Sequence, residues 1–195
     1  MSAEPTVRVI PYFSPRSKTT SYVVARGDRS DALIVDPVHM DRELFEVLLA
    51  HELELSAVLI THPDPYMERG IRTIEKIFKV VTYAGSRDLP ARNVELLSGQ
   101  QSFQCCGLDV NPIAVPPHSR SSIIFHLHTM VFSGPIVHAG TLGDTPTAFA
   151  EALLVATIKD FLFTLPDDIL LLPSVGPPST LGTEKDLSPY YRSEG

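Results

Sequence analysis

The residues best equipped for chemistry lie in the stretch Leu59-Ile60-Thr61-His62-Pro63-Asp64-Pro65-Tyr66-Met67-Glu68-Arg69-Gly70. An apolar run ends in Thr-His, an acid follows two residues on, and a Gly precedes a helical pattern. Imidazole and carboxylate on a loop that leaves a buried strand are the makings of a metal site. Two prolines, a tyrosine and a methionine stand where further ligands would be needed. Phenol and thioether are poor ligands for a hard or borderline divalent cation.

Other candidate groups are scattered. His126 and His128, in Phe-His-Leu-His, share a strand face at a chelating spacing, although solvated strand residues are the plainer expectation. His138 follows the Gly134-Pro135 turn and is expected to pack or to sit at a rim, and His39 and His51 have no partners in view. Neither a Gly-rich phosphate loop nor a Gly-x-Ser-x-Gly elbow is present. Cys105 and Cys106 lack a Cys-x-x-Cys frame. On a strand they would face opposite sides, one inward as a small apolar group, and a bond between them would strain the chain.

The elements that must position these groups follow from periodicity. Runs at 7–13, 21–26 and 31–37 read as strands, the last two joined by a turn at 27–30. Asp41 caps a helix whose stripe is Leu44, Leu48 and His51. Residues 57–61 suit a buried strand, and a helix over 68–79 places Ile71, Ile74, Ile77 and Phe78 on one face. Strands follow at 80–84 and, with turn signals between them, through 93–133. A helix over 147–163 aligns Leu154, Ile158, Phe161 and Leu165, and 169–174 is again a buried strand.

At 195 residues the chain suits one domain, 1–195, with 1–5 and 186–195 expected to be flexible. The net charge of −7, with no run of Lys or Arg, argues against nucleic acid or an anionic membrane surface as partner. No stretch approaches the roughly 20 apolar residues needed to span a bilayer. The opening Met1-Ser2-Ala3-Glu4-Pro5-Thr6 has no signal-peptide character. Two reduced thiols fit a cytoplasmic protein.

Five segments in order resemble the metallo-β-lactamase fold superfamily, in particular its glyoxalase II-like hydrolases. They are "TSYVV…DALIVDP", "LITHPDPYMERG", "VPPHSRSSIIF", "VFSGPIVHAGTLGDT" and "LPDDILLLPSVGPPSTLGTEK". The resemblance covers about residues 20 to 190 and implies an α+β architecture, a four-layer αββα sandwich with its site at one edge. It also implies two metal ions held by five histidines and two aspartates.

Carried onto this chain, the resemblance keeps His62 and His118 as ligands and puts Asp64 at a histidine position. Tyr66, Met67, Pro135 and Val175 occupy four lost ligand positions. Pro117 and Arg120 also depart from the pattern, Arg120 being expected in solvent. A dinuclear site cannot be assembled from what remains, so no cofactor is expected. The reading is a pseudoenzyme that binds an unknown small molecule or protein, with self-association open. The alternative is a mononuclear hydrolase of thioesters or other activated acyl compounds, with His62, Asp64 and His118 holding one Zn, Mn or Fe ion.

Overall fold

The computed structural model describes residues 6–99 and 101–192. β1 (Val7–Ser14), β2 (Thr19–Arg26) and β3 (Asp31–Val35) form an antiparallel meander. The chain then turns to helical crossovers. α1 (Arg42–Ala50) leads to β4 (Glu54–Ile60), and α2 (Met67–Ile77) leads to β5 (Val81–Ala84). With β6 (Val94–Leu96), these strands extend the first sheet in parallel, in the order β1-β2-β3-β4-β5-β6.

The second sheet begins with the antiparallel strands β7 (Phe103–Cys105), β8 (Leu108–Ala114), β9 (Ile123–Leu127) and β10 (Met130–Gly134). A small ribbon follows, β11 (Val137–His138) with β12 (Thr141–Leu142). α3 (Ala148–Thr157) then crosses to β13 (Leu170–Pro173), which lies parallel to β10. β14 (Ser179–Thr180), α4 (Leu181–Leu187) and α5 (Pro189–Arg192) close the chain. Among the described residues no helix is long and apolar enough to cross a membrane.

Three apolar clusters define the layers. Between the sheets lie Tyr22, Val24, Leu33 and Val35 from one side and Val110, Phe125, Leu127 and Phe132 from the other. The alternate residues of the same strands, Val23, Ala25, Ala32 and Ile34, face outward onto Leu44 and Leu48 of α1 and Ile71 and Ile74 of α2. On the far side, Ile124, Val131 and Leu171 meet Leu154, Ile158 and Leu162. Strands buried on both faces must be apolar throughout, which is why they read as unbroken runs. The architecture is the αββα sandwich.

Several expectations are corrected. The helix after residue 147 runs α-helical to Thr157 and then takes a π turn at Ile158–Leu162, in which Phe163 N–H donates to Ile158 O at 3.0 Å. The wider turn brings Leu162 under Ile158 and leaves Phe161 40% exposed. Ile77 ends α2 at 48% exposure, and His51 is an exposed C-cap rather than part of the α1 stripe. His128 lies in the β9–β10 turn at φ 52°, so it does not share a strand face with His126. Of the end segments expected to be flexible, residues 186–192 are described, completing α4 and forming α5, and residues 1–5 and 193–195 lie outside the described residues.

Candidate functional site

The loops that leave β3, β4, β8, β10 and β13 meet at one end of the sandwich. β3 runs into Asp36, whose left-handed φ of 50° turns its carboxylate toward the loop after β4. There Thr61 N–H donates to Oδ1 at 2.8 Å, and the Thr61 hydroxyl donates to Oδ2 at 2.5 Å. The Ser21 hydroxyl and the Asp36 amide tie the same turn to β2 and β4 at 2.7 and 3.0 Å. Gly134, at φ 56°, lies against this clamp: a Cβ there would stand 1.9 Å from Thr61 Oγ1. Burial pushes the Asp36 carboxyl up to about 7, against the pull of the two Thr61 hydrogen bonds.

The clamped Thr61 delivers His62. Its ring meets that of His118 edge to face, with centroids 5.0 Å apart and planes at 81°. Ser122, buried at the start of β9, bridges the pair. Its Oγ lies 3.2 Å from His62 Nδ1 and 2.8 Å from His118 Nδ1. Ser119 Oγ supports the bridge, 2.6 Å from Ser122 Oγ and 3.2 Å from His62 Nδ1. Burial lowers the His62 pKa, with Asp64 opposing. Burial, then His62 and His138, push His118 down to about 4, with Asp144 opposing. Both rings are therefore neutral at pH 7.

Sequence reading missed Ser119 and Ser122. Their only signal is spacing, one and four residues after His118, because a serine carries no mark of the partner it will meet.

A cavity of about 60 Å³ opens beside His62. Asp64, Tyr66, Met67, Pro135 and Val175 share its wall, so the positions singled out in the sequence do converge. Their side chains do not make a ligand shell. Asp64 Oδ1 accepts the Tyr66 N–H at 2.7 Å, which commits it to the turn that starts α2. Tyr66 is 64% exposed and leaves the cavity unfilled, whereas Met67 is buried in the α2 core.

His118 lies outside this wall, with Gly143 packed against its Nε2 side. Among the described residues no three His, Cys, Asp or Glu side chains are grouped so as to hold a metal ion, and His62, Asp64 and His118 are not gathered into such a group. The residues present do not fit a resident metal as arranged. Arg120 is exposed. His138 donates from Nε2 to Pro135 O at 2.8 Å and belongs to the rim.

Solved structures share the whole architecture. A metallo-β-lactamase from Staphylococcus aureus superposes with a TM-score of 0.86 at 19% identity, covering 99% of this chain and 65% of that one. ETHE1 from Myxococcus xanthus gives 0.85 at 22% identity, with 96% and 86% covered. The chain has the metallo-β-lactamase fold.

A third neighbour of that fold, solved in a di-iron-bound form, gives 0.78 at 22% identity over 93% of this chain and all of its own. No family model matches the sequence. Among curated relatives, a probable metallo-hydrolase of Streptococcus pyogenes is 29% identical over 154 residues. A hydroxyacylglutathione hydrolase of Aeromonas salmonicida is 28% identical over 172 residues. They align with 77% and 85% of this chain, which spans 62% and 63% of their lengths. An uncharacterised protein of Treponema pallidum is 26% identical over 165 residues, 84% of this chain and 88% of its own.

Proposed function

We propose that this metallo-β-lactamase-fold chain is a pseudoenzyme: it has lost the dinuclear site and the hydrolase reaction, and it works by binding a small molecule or a protein. One observation carries the reading. Tyr66, Met67, Pro135 and Val175 line a cavity whose two carboxylates are already acceptors, Asp36 from Thr61 and Asp64 from the Tyr66 N–H. A wall of that kind, around about 60 Å³, offers apolar surface beside one neutral imidazole, which suits a group of a few heavy atoms, such as the tip of a larger ligand or of a partner's side chain. The unpaired thiols Cys105 and Cys106 agree with a reducing, cytoplasmic setting.

Elemental analysis of the purified chain, with and without added zinc, manganese or iron, tests this together with a thioester hydrolysis assay. Substoichiometric metal and no turnover above buffer is the expected result. Stoichiometric metal with hydrolysis that disappears in His62→Ala would overturn it.

A second reading rests on the two neutral imidazoles that meet 5.0 Å apart. Neutral imidazole is the ligating form, and Asp64 released from Tyr66 N–H and brought to the two rings would give a two-histidine, one-carboxylate set. On that reading the chain is a mononuclear hydrolase, and Asp64→Asn and His118→Ala each abolish metal uptake and activity together. Full activity in both variants would remove it. Light scattering on the eluted protein reports self-association, the remaining use of such a surface.

A further inference from the structure

The β7–β8 hairpin closes in two residues, Cys106 and Gly107, with Cys105 paired to Leu108. Both turn residues have positive φ, 51° and 70°. Such turns require left-handed backbone at both central positions, which Asn-Gly or Gly-Gly supplies at least cost. A cysteine there carries a backbone penalty of order 1 kcal/mol.

The turn brings two sulfurs together. Cys105 and Cys106 do not alternate to opposite faces. Their Sγ atoms lie 3.6 Å apart, both residues are 8% exposed, and both border the core between the sheets. Arg26 donates to Gly107 O at 3.3 Å, and the Arg29 side chain closes over Gly107. The chain contains two cysteines in all, so each is the other's only possible disulfide partner within the molecule.

We propose that Cys105 and Cys106 form a vicinal dithiol modification site, oxidised by a small hydroperoxide to an intramolecular disulfide. The Cys105 thiolate attacks one peroxide oxygen, so an S–O bond forms and the O–O bond breaks. The departing oxyanion takes the proton that Cys105 released. The Cys106 sulfur then attacks Cys105 Sγ, forming S–S and breaking S–O, and the hydroxide leaves as water with the Cys106 proton. With hydrogen peroxide, two thiols and one peroxide give one disulfide and two waters. The sulfurs lose two electrons and the peroxide gains them.

Cys105 ionises first. The S–H of Cys106 donates to it and holds its thiol below the usual range, while Cys106 is pushed up. Both residues keep 8% of their surface exposed, and a peroxide approaches through that edge. Adjacent Cα atoms stand about 3.8 Å apart, closer than the roughly 4.4–6.8 Å common for disulfides, so the product is strained and readily reduced. That suits a reversible mark. The site stands at the start of β8 and the His118 loop at its end, so it is independent of the function proposed above.

The test titrates the purified chain with hydrogen peroxide and reads intact mass under non-reducing, denaturing conditions. The expected product is a monomer lighter by two hydrogen atoms, restored by dithiothreitol, with the link mapped to the peptide containing Cys105 and Cys106. Cys106→Asn puts a preferred residue in the turn and keeps the fold. It is expected to add one or two oxygen atoms at Cys105 and to lose no hydrogens. The proposal is overturned if the folded wild-type chain keeps its reduced mass at peroxide levels that oxidise the urea-unfolded chain. It is equally overturned if the wild-type chain gains oxygens at Cys105 or Cys106, located by peptide mapping, or forms covalent dimers in place of the internal disulfide.

Discussion

Replacing Asp36 by Asn separates the charge of the clamp from its hydrogen bonds. Asp36 is 2% exposed, and its carboxyl is pushed up to about 7 by burial. An unfolded Asp titrates near 3.9, so between about pH 4 and 7 the native chain holds a proton that the unfolded chain has released. The native state then binds more protons than the unfolded one, and stability falls as pH rises. Each unit is worth about 1.4 kcal/mol, so the three-unit window amounts to about 4 kcal/mol at most.

Asn keeps both bonds, accepting from Thr61 N–H and donating to Thr61 Oγ1. It also tolerates the φ of 50° better than most residues. Urea melts of wild type and D36N at intervals from pH 4 to 8 read the difference, and the histidines, common to both, cancel. The two chains should be equally stable at pH 4, with D36N ahead by about 3–4 kcal/mol at pH 8. A gap that stays constant with pH, or that favours wild type at pH 8, refutes the assignment of a raised carboxyl.

His118 contributes with the opposite sign. Its folded pKa of about 4 lies below the unfolded value near 6.5, so its contribution is lost as pH falls through that window. Its imidazole carbon shifts, followed by NMR, should show a midpoint near 4, and a midpoint above 6 contradicts the buried pair. Thr61→Val leaves Asp36 Oδ2 without its hydroxyl donor and should cost roughly 1–3 kcal/mol in a urea melt. Gly134→Ala forces a methyl to 1.9 Å from Thr61 Oγ1 at a left-handed φ and should cost about 3 kcal/mol or more, read as the shift in thermal midpoint.

The strands were legible because they are buried on both faces, and runs such as Ala57-Val58-Leu59-Ile60, rich in β-branched residues and bounded by turn signals, are too short for a buried helix. What failed was anything that depends on local winding. Phe161 and Leu162 exchange places because one π turn adds a residue to the helical period, and nothing in Ile-Lys-Asp-Phe-Leu announces it. Cys106 faces the same core as Cys105 because its φ is positive, and the sign of φ is not written in a cysteine. At the site, the order of motifs singled out His62, Asp64, Tyr66, Met67, Pro135 and Val175, which share one cavity wall. The Asp36–Thr61 clamp spans 25 residues and the Ser122 bridge joins two histidine loops, and contacts of that reach leave no periodic trace.

Those contacts also explain what holds the frame of the site together. Asp36, Thr61, His62, Ser122 and His118 satisfy one another, so the loops need no ion to hold them. Met67 belongs to the apolar cluster under α2. Placing an imidazole there with Met67→His replaces a buried thioether by a polar ring packed against Ile71 and Ile74. The cost should be about 2–3 kcal/mol. Added zinc should not recover it, because Pro135 and Val175 contribute no electron pair and Asp64 remains bound to Tyr66 N–H. A bound ion at a hundred times its dissociation constant would restore about 2.7 kcal/mol. A zinc-dependent rise of that size in the urea midpoint of M67H, absent from wild type, would mean that the cavity still closes around a metal and that its wall is more mobile than its packing implies.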